Sequence, residues 1–265
     1  MLMKIEKDIL VVDAEANSSH LFLLGDLHID AETFKAEKLK KAAEITKGAP
    51  VIFLGDILDY GFFDNLLTQL RREKETTRDE ILDTLGIQGM LAVDEVFDAF
   101  DQILAVCEGN HDIRAGKATG ELFLKYACAK RDIVYARGQL LIRLRVGRKA
   151  NGKKRLYRLL LTHGSRGGRR QSAPLNELED LARTWAGVDL IAVGHHHKFV
   201  HSTITKTSAI FGELYTEITE VVSVPSFLGF EIYAQKRGYP PPEHAIVHIS
   251  FFPREGTLSV QKISL

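Results

Sequence analysis

The chain has 265 residues, 45% hydrophobic and 26% charged, a composition that can bury a substantial core and excludes an intrinsically disordered chain. Lys plus Arg equals Asp plus Glu at 35 each, so no global basic field draws it to nucleic acid or an anionic membrane, and any such binding is local. Two cysteines, Cys107 and Cys128, exclude a disulfide framework and a CxxC zinc site and read as buried thiols.

The opening MLMKIEKDILVVDAEANSS carries charges within its first eight residues, and Asp13 follows its short apolar run, so it does not read as a signal peptide. No stretch reaches the roughly 18 apolar residues of a membrane span, so a cytoplasmic protein with no membrane partner is expected. Apolar runs then alternate with amphipathic stretches, which predicts an α/β protein whose strands are buried on both faces. The runs are HLFLLGD, PVIFLGD, ILAVCEG, LYRLLLTHG and VDLIAVGHH, each ending in a Gly or polar cluster where a strand leaves its sheet. Between them the pattern predicts helices over 33–47, two stretches within 64–104, 120–130 and 174–186.

The charged stretch 61–96 reads either as a helical cap over the substrate or as ordinary surface helices. Leu140–Val146 and 156–162 read as a hairpin joined by GRKANGKK, whose Asn151-Gly152 pair suits positive φ. The tail, 240–265, reads as strands, and residues 1–265 as one domain without repeats or linkers.

Five polar clusters directly follow five of these runs and hold Asp26, His28, Asp56, Asp59, Asn110, His111, Asp112, His163, His195 and His197. All can bind a divalent cation or move a proton, and none is a thiolate. In Asp26-Leu27-His28 and His195-His196-His197 the outer residues stand two apart, so an extended chain would turn both to one side and His196 to solvent or a neighbouring loop. A lone buried His is more often a core residue, and His20, His201, His244 and His248 are read that way. Five strand ends with polar pairs need a common reason.

These clusters, G-D-L-H (25–28), G-D-I-L-D (55–59), G-N-H-D (109–112), H-G (163–164) and G-H-H-H (194–197), resemble in residue and order those of the calcineurin-like metallophosphoesterases, over about residues 20–200. The resemblance implies a four-layer α/β-β/α sandwich of two mixed sheets flanked by helices, with a metal site on the loops at the strand C-termini. It implies that Asp26, His28 and His197 hold one metal, Asn110, His163 and His195 another, and that Asp56 bridges them. It implies two divalent ions, manganese first and iron, zinc or cobalt as alternatives, with a bridging hydroxide as nucleophile. His111 neighbours the ligand Asn110 and is expected to be the general acid, with Asp112 orienting its ring and Asp59 as outer support or a turn residue.

GSRGGRRQ follows His163 directly, and at least one of Arg166, Arg169 and Arg170 is expected to bind a substrate phosphate. The basic run 148–155 reads either as a contact to a nucleic-acid backbone or, more simply, as a solvated loop tip. The expected function is a phosphodiesterase acting on a nucleotide or nucleic-acid end. The alternatives are a DNA or RNA exonuclease or a phosphomonoesterase of the same chemistry, and third a non-catalytic scaffold.

Overall fold

All five apolar runs are strands, and they divide between two sheets. Residues 2–6, 9–16, 18–59, 78–119, 122–147, 153–168, 170–210, 213–230 and 232–265 are described by the computed structural model. In chain order the strands are β1 (Leu2–Glu6), β2 (Ile9–Ala16), β3 (His20–Leu24), β4 (Val51–Phe53), β5 (Ile103–Cys107), β6 (Val134–Ala136), β7 (Leu140–Val146), β8 (Arg155–Thr162), β9 (Leu190–Val193), β10 (Val200–Ile210), β11 (Glu213–Ser223), β12 (Ala245–Phe252) and β13 (Thr257–Ser264). The helices are α1 (Ala36–Ile45), α2 (Arg78–Asp98), α3 (Asn110–Thr119), α4 (Phe123–Lys130), α5 (Ser172–Thr184) and α6 (Ile232–Lys236).

One sheet runs β1-β2-β7-β8-β9-β11-β10 and the other β13-β12-β3-β4-β5-β6. Both are mixed. β3, β4, β5 and β6 are mutually parallel, as are β8 and β9, while β7 and β8 form the expected antiparallel hairpin with Leu140 opposite Leu161 and Val146 opposite Arg155. Its Asn151-Gly152 turn lies outside the described residues.

Three apolar clusters separate four layers. Leu23, Ile52 and Leu54 of one sheet meet Ile142, Leu159 and Ala192 of the other between the sheets. Phe22, Phe53 and Val106 face outward onto Ala42 of α1, Val93 and Phe97 of α2 and Leu124 of α4. On the far side Leu160 and Ile191 pack on Leu178 and Ala182 of α5. A sheet layered between another sheet and helices has two apolar faces, which is why β4 and β9 are buried at every residue and read as unbroken apolar runs.

Helix positions differ from expectation by a few residues at the ends. Of the stretch read as a cap or as surface helices, 61–77 lie outside the described residues, and Val93 and Val96 of α2 are buried in the helical layer. The features not anticipated include α3, α6, β6, the β1–β2 pair and the long β10–β11 hairpin. β10 is VHSTITKTSAI, largely hydroxyl-bearing and exposed on alternate residues, so it lacks an apolar run to betray it. Among the described residues no helix is long and apolar enough to cross a membrane. Cys107 and Cys128 are buried free thiols.

Candidate metal centre

β3, β4 and β5 deliver their C-terminal loops to the same place as β8 and β9 of the facing sheet. The loops after β3 and β4 run together through Asp26 N–H to Gly55 O and His28 N–H to Asp56 O, both 3.0 Å. The loop after β9 joins them through His195 N–H, which donates to both Asp26 oxygens at 3.1 and 2.9 Å. The loop after β8 joins through His163, whose Nδ1–H donates to Leu54 O at 2.7 Å and so leaves Nε2 as the nitrogen with the lone pair when the ring is neutral.

The local backbone corrects one expectation. Asp26, His28, Asp56, His195 and His197 have φ of 51, 48, 49, 64 and 56°, so the D-L-H and H-H-H segments are left-handed turns and not extended chain. Outside glycine such φ values cost free energy, less for Asp and His than for most residues, and persist where surrounding contacts enforce them. Their concentration in these loops marks where conformational cost is spent on side-chain direction.

Three groups of side chains have ligand atoms within 4.8 Å of one another: Asp26, His28 and His197; Asp56, His163 and His195; and His28, Asp59 and His111. Asp56 lies between the first two, its Oδ2 3.2 Å from His163 Nε2 and 3.9 Å from His28 Nε2. Asn110 Oδ1 is 3.1 Å from His163 Nε2 and extends the second group. All seven side chains expected to hold metal therefore meet at one place. His28 is 2% exposed, yet neither ring nitrogen has a hydrogen-bond partner. Buried polar atoms in native proteins are almost always satisfied, so an unpaired imidazole among carboxylates fits a cation as its missing partner.

Without a cation the charges compensate one another. Burial pushes the Asp56 carboxyl up, but the hydrogen bond from His163 and the charges of His163, His28 and His111 outweigh it and hold Asp56 well below the usual range. Asp26 is lowered too, with burial opposed mainly by His197. Burial pulls His163 down, and Asp56 and Asp26 reverse this and lift it to about 10.

His111 stands at the start of α3, its N–H donating to Asp56 Oδ1 at 2.8 Å, where the positive end of the helix dipole favours that carboxylate. Its ring Nδ1 meets Asp59 Oδ1 at 2.8 Å. The partner of the His111 ring is thus Asp59 and not Asp112, as expected from sequence. The Asp112 carboxylate instead accepts the N–H groups of Ile57 and Leu58 on one oxygen and of Gly109 on the other, tying α3 to the loop after β4. A carboxylate so occupied is a brace for two loops. Burial and then the charge of Asp56 push its pKa up to about 7, against the pull of those donors.

One other expectation changes. His196 is buried, not solvent-facing, and its Nε2 meets Glu177 Oε2 at 2.7 Å. Arg166 is exposed and pairs with Asp180 of α5, Arg170 is exposed, and Arg169 lies outside the described residues. Sequence reading missed Glu177 altogether. Its signal was present but faint: Pro174, Leu178 and Ala182 form the buried face of α5, and Glu177 is a carboxylate on that same apolar stripe.

The family profile described as calcineurin-like phosphoesterase matches residues 20–199. A solved crystal structure aligns over 93% of this chain and 99% of its own, with 9% identity and a TM-score of 0.39, a likeness too distant to carry an argument. No curated protein matches the sequence.

Proposed function

The chain belongs to the calcineurin-like phosphoesterase family and is a metal-dependent phosphoester hydrolase, and from that premise we propose that it is a phosphodiesterase working at a pair of divalent ions, manganese first among them. The observation that carries the reading is the place of Asp56, within 3.2 Å of His163 Nε2 and 3.9 Å of His28 Nε2, so that one carboxylate can serve both ligand groups. Asp26, His28 and His197 would hold one ion, and Asn110, His163 and His195 the other. When bound, the ions polarise the phosphoryl group and acidify a water enough for it to attack near neutral pH.

The protein's own contribution beyond ligation is the Asp59–His111 pair. Burial pulls the His111 pKa down, but the hydrogen bond to Asp59 and the charge of Asp56 hold it above its ordinary value, a shift toward the imidazolium form that a proton donor needs. With Nδ1 committed to Asp59, Nε2 is the nitrogen that hands a proton to the departing oxygen. An alkoxide leaving group, such as a nucleoside hydroxyl, needs that proton.

The substrate we infer is a diester at a nucleotide or nucleic-acid end. Its support is the exposed Arg166 and Arg170 on the loop that leaves His163, cations suited to a second phosphate or flanking polar group. The test is a panel of monoester and diester chromogenic phosphates, cyclic and linear nucleotides and oligonucleotides, with chelated and Mn²⁺-reconstituted protein. The reading expects activity only after reconstitution and a preference for diesters. Turnover that survives chelation would remove the metal centre, and a strong monoester preference would replace diesterase with phosphomonoesterase.

A further inference from the structure

Glu177 is a 6%-exposed carboxylate, and burying such a group is unfavourable unless donors surround it. Its donors come from two loops. Oε1 accepts Ser165 N–H at 2.9 Å and the Ser165 hydroxyl at 3.4 Å. Oε2 accepts His196 Nε2–H at 2.7 Å and Arg166 N–H at 3.4 Å. Ser165 and Arg166 follow His163 on the loop leaving β8, and His196 sits between His195 and His197 on the loop leaving β9.

β8 and β9 are hydrogen-bonded neighbours, so their loops depart side by side and the carboxylate fills the space between them. Gly164, at φ 92°, lies so close that an added Cβ would touch both Glu177 Oε2 and His195 Cβ at 3.5 Å. A second tie repeats the pattern farther out, where the buried Lys198 ammonium donates to the carbonyls of Gly168 at 2.8 Å and Arg170 at 3.3 Å. A leucine at 177 would extend the apolar stripe of α5 without any burial of charge, so what the carboxylate adds is a fixed separation between two loops and not simple cohesion.

We propose that Glu177, through His196 and the Ser165–Arg166 backbone, is a positioning residue that sets the spacing of His163 and His195 and thereby the affinity of the ion held with Asp56. The inference rests on the two-ion reading. Among the described residues the hydrogen bonds of Glu177 go to Ser165, Arg166 and His196 and not to a ligand side chain, so its effect is on geometry, and it should be uneven: the Asp56–His163–His195 ion takes a ligand from each braced loop, whereas the other takes only His197 from one of them and Asp26 and His28 from elsewhere.

The test is calorimetric titration of chelated full-length protein with Mn²⁺, for wild type, Glu177→Gln, Glu177→Ala, His196→Ala and the double alanine variant. Wild type should bind two ions. Glu177→Ala should weaken one of them by roughly tenfold or more, the scale of outer-sphere changes at metal sites, and leave the other within about twofold. Glu177→Gln should recover most of the loss, because its amide oxygen can accept Ser165 N–H while its NH₂ donates to the other tautomer of His196. The double variant should be no weaker than Glu177→Ala, since one link is cut twice. If Glu177→Ala does not fold, His196→Ala carries the same expectation of uneven weakening. Two unchanged affinities, equal weakening of both, or additive losses would each overturn the brace while leaving two-ion binding intact. A wild type that binds fewer than two ions would instead bring down the two-ion reading, and this inference with it.

Discussion

Gly109 is the most demanding position around the centre. Its backbone passes so close to Asp56 that a Cβ placed there would sit 2.2 Å from the Asp56 nitrogen and 2.1 Å from its Oδ1. The nitrogen belongs to a backbone bonded into the neighbouring loop and cannot rotate away. Reaching an ordinary separation of about 3.4 Å requires the loops after β4 and β5 to part by roughly 1 Å. That movement stretches the His111 N–H to Asp56 bond of 2.8 Å and the Gly109 N–H to Asp112 bond of 2.9 Å, and withdraws Asn110 from His163.

Overpacking of this kind costs about 1–3 kcal/mol of stability. A misplacement of roughly 1 Å at a reacting centre costs on the order of 10²-fold in rate. Gly109→Ala should therefore lower the melting temperature modestly while cutting kcat about a hundredfold and weakening metal uptake, read by thermal unfolding, diester hydrolysis with Mn²⁺ and elemental analysis. Gly138→Ala is the control, because a Cβ there meets nothing within 4 Å. A Gly109→Ala protein that binds both ions normally and turns over within about threefold of wild type would refute the reasoning.

Exchange of His111 for Ala should lower kcat by about 10²–10⁴-fold with metal content unchanged, and less for nitrophenolate than for alkoxide leaving groups; loss of the metals as well would mean that His111 is a ligand. Asp59→Asn should follow His111→Ala in the same direction, whereas Asp112→Asn should act mainly on stability, because its oxygens face backbone N–H groups. His163 is lifted to about 10 in the metal-free protein, above its unfolded value near 6.5. Its protonated form thus stabilises the metal-free fold fully below pH 6.5, and that contribution fades as pH rises through about 10. Since a ligand must be neutral, Mn²⁺ binding at pH 8 should release a proton and tighten about tenfold per pH unit from that group, measured by calorimetry in buffers of different ionisation enthalpy; binding with no proton release would contradict the shift. Replacing Arg166 and Arg170 with Ala should raise KM with kcat preserved in steady-state diester hydrolysis, and an unchanged KM would take both out of substrate binding.

The strands that carry the centre were legible because they are buried on both faces over much of their length, β4 and β9 at every residue, and therefore read as largely apolar runs ending in a polar cluster. α3 was hidden by its own chemistry: it begins at Asn110 and His111, which read as ligand and acid before they read as a helix start. β10 was hidden by Ser and Thr on an exposed ribbon. At the centre, residue types and order pointed to the seven side chains that meet, but not to how they are aimed, because the left-handed φ of Asp26, His28, Asp56, His195 and His197 is enforced by contacts between two sheets. The same limit explains the exchange of Asp59 for Asp112: adjacency in sequence favoured Asp112, while the turn of α3 directs that carboxylate onto backbone N–H groups and leaves the His111 ring to a residue 52 positions away. Glu177 had no motif at all, only a charge where the helix stripe called for an apolar residue.

The most direct measurement is anomalous diffraction from crystals of Mn²⁺-reconstituted protein, collected above and below the manganese edge. Two peaks are expected roughly 3.5–4 Å apart, one against Asp26, His28 and His197, the other against Asn110, His163 and His195, with Asp56 contacting both. A single peak, or ions bound away from Asp56, would contradict the two-ion reading.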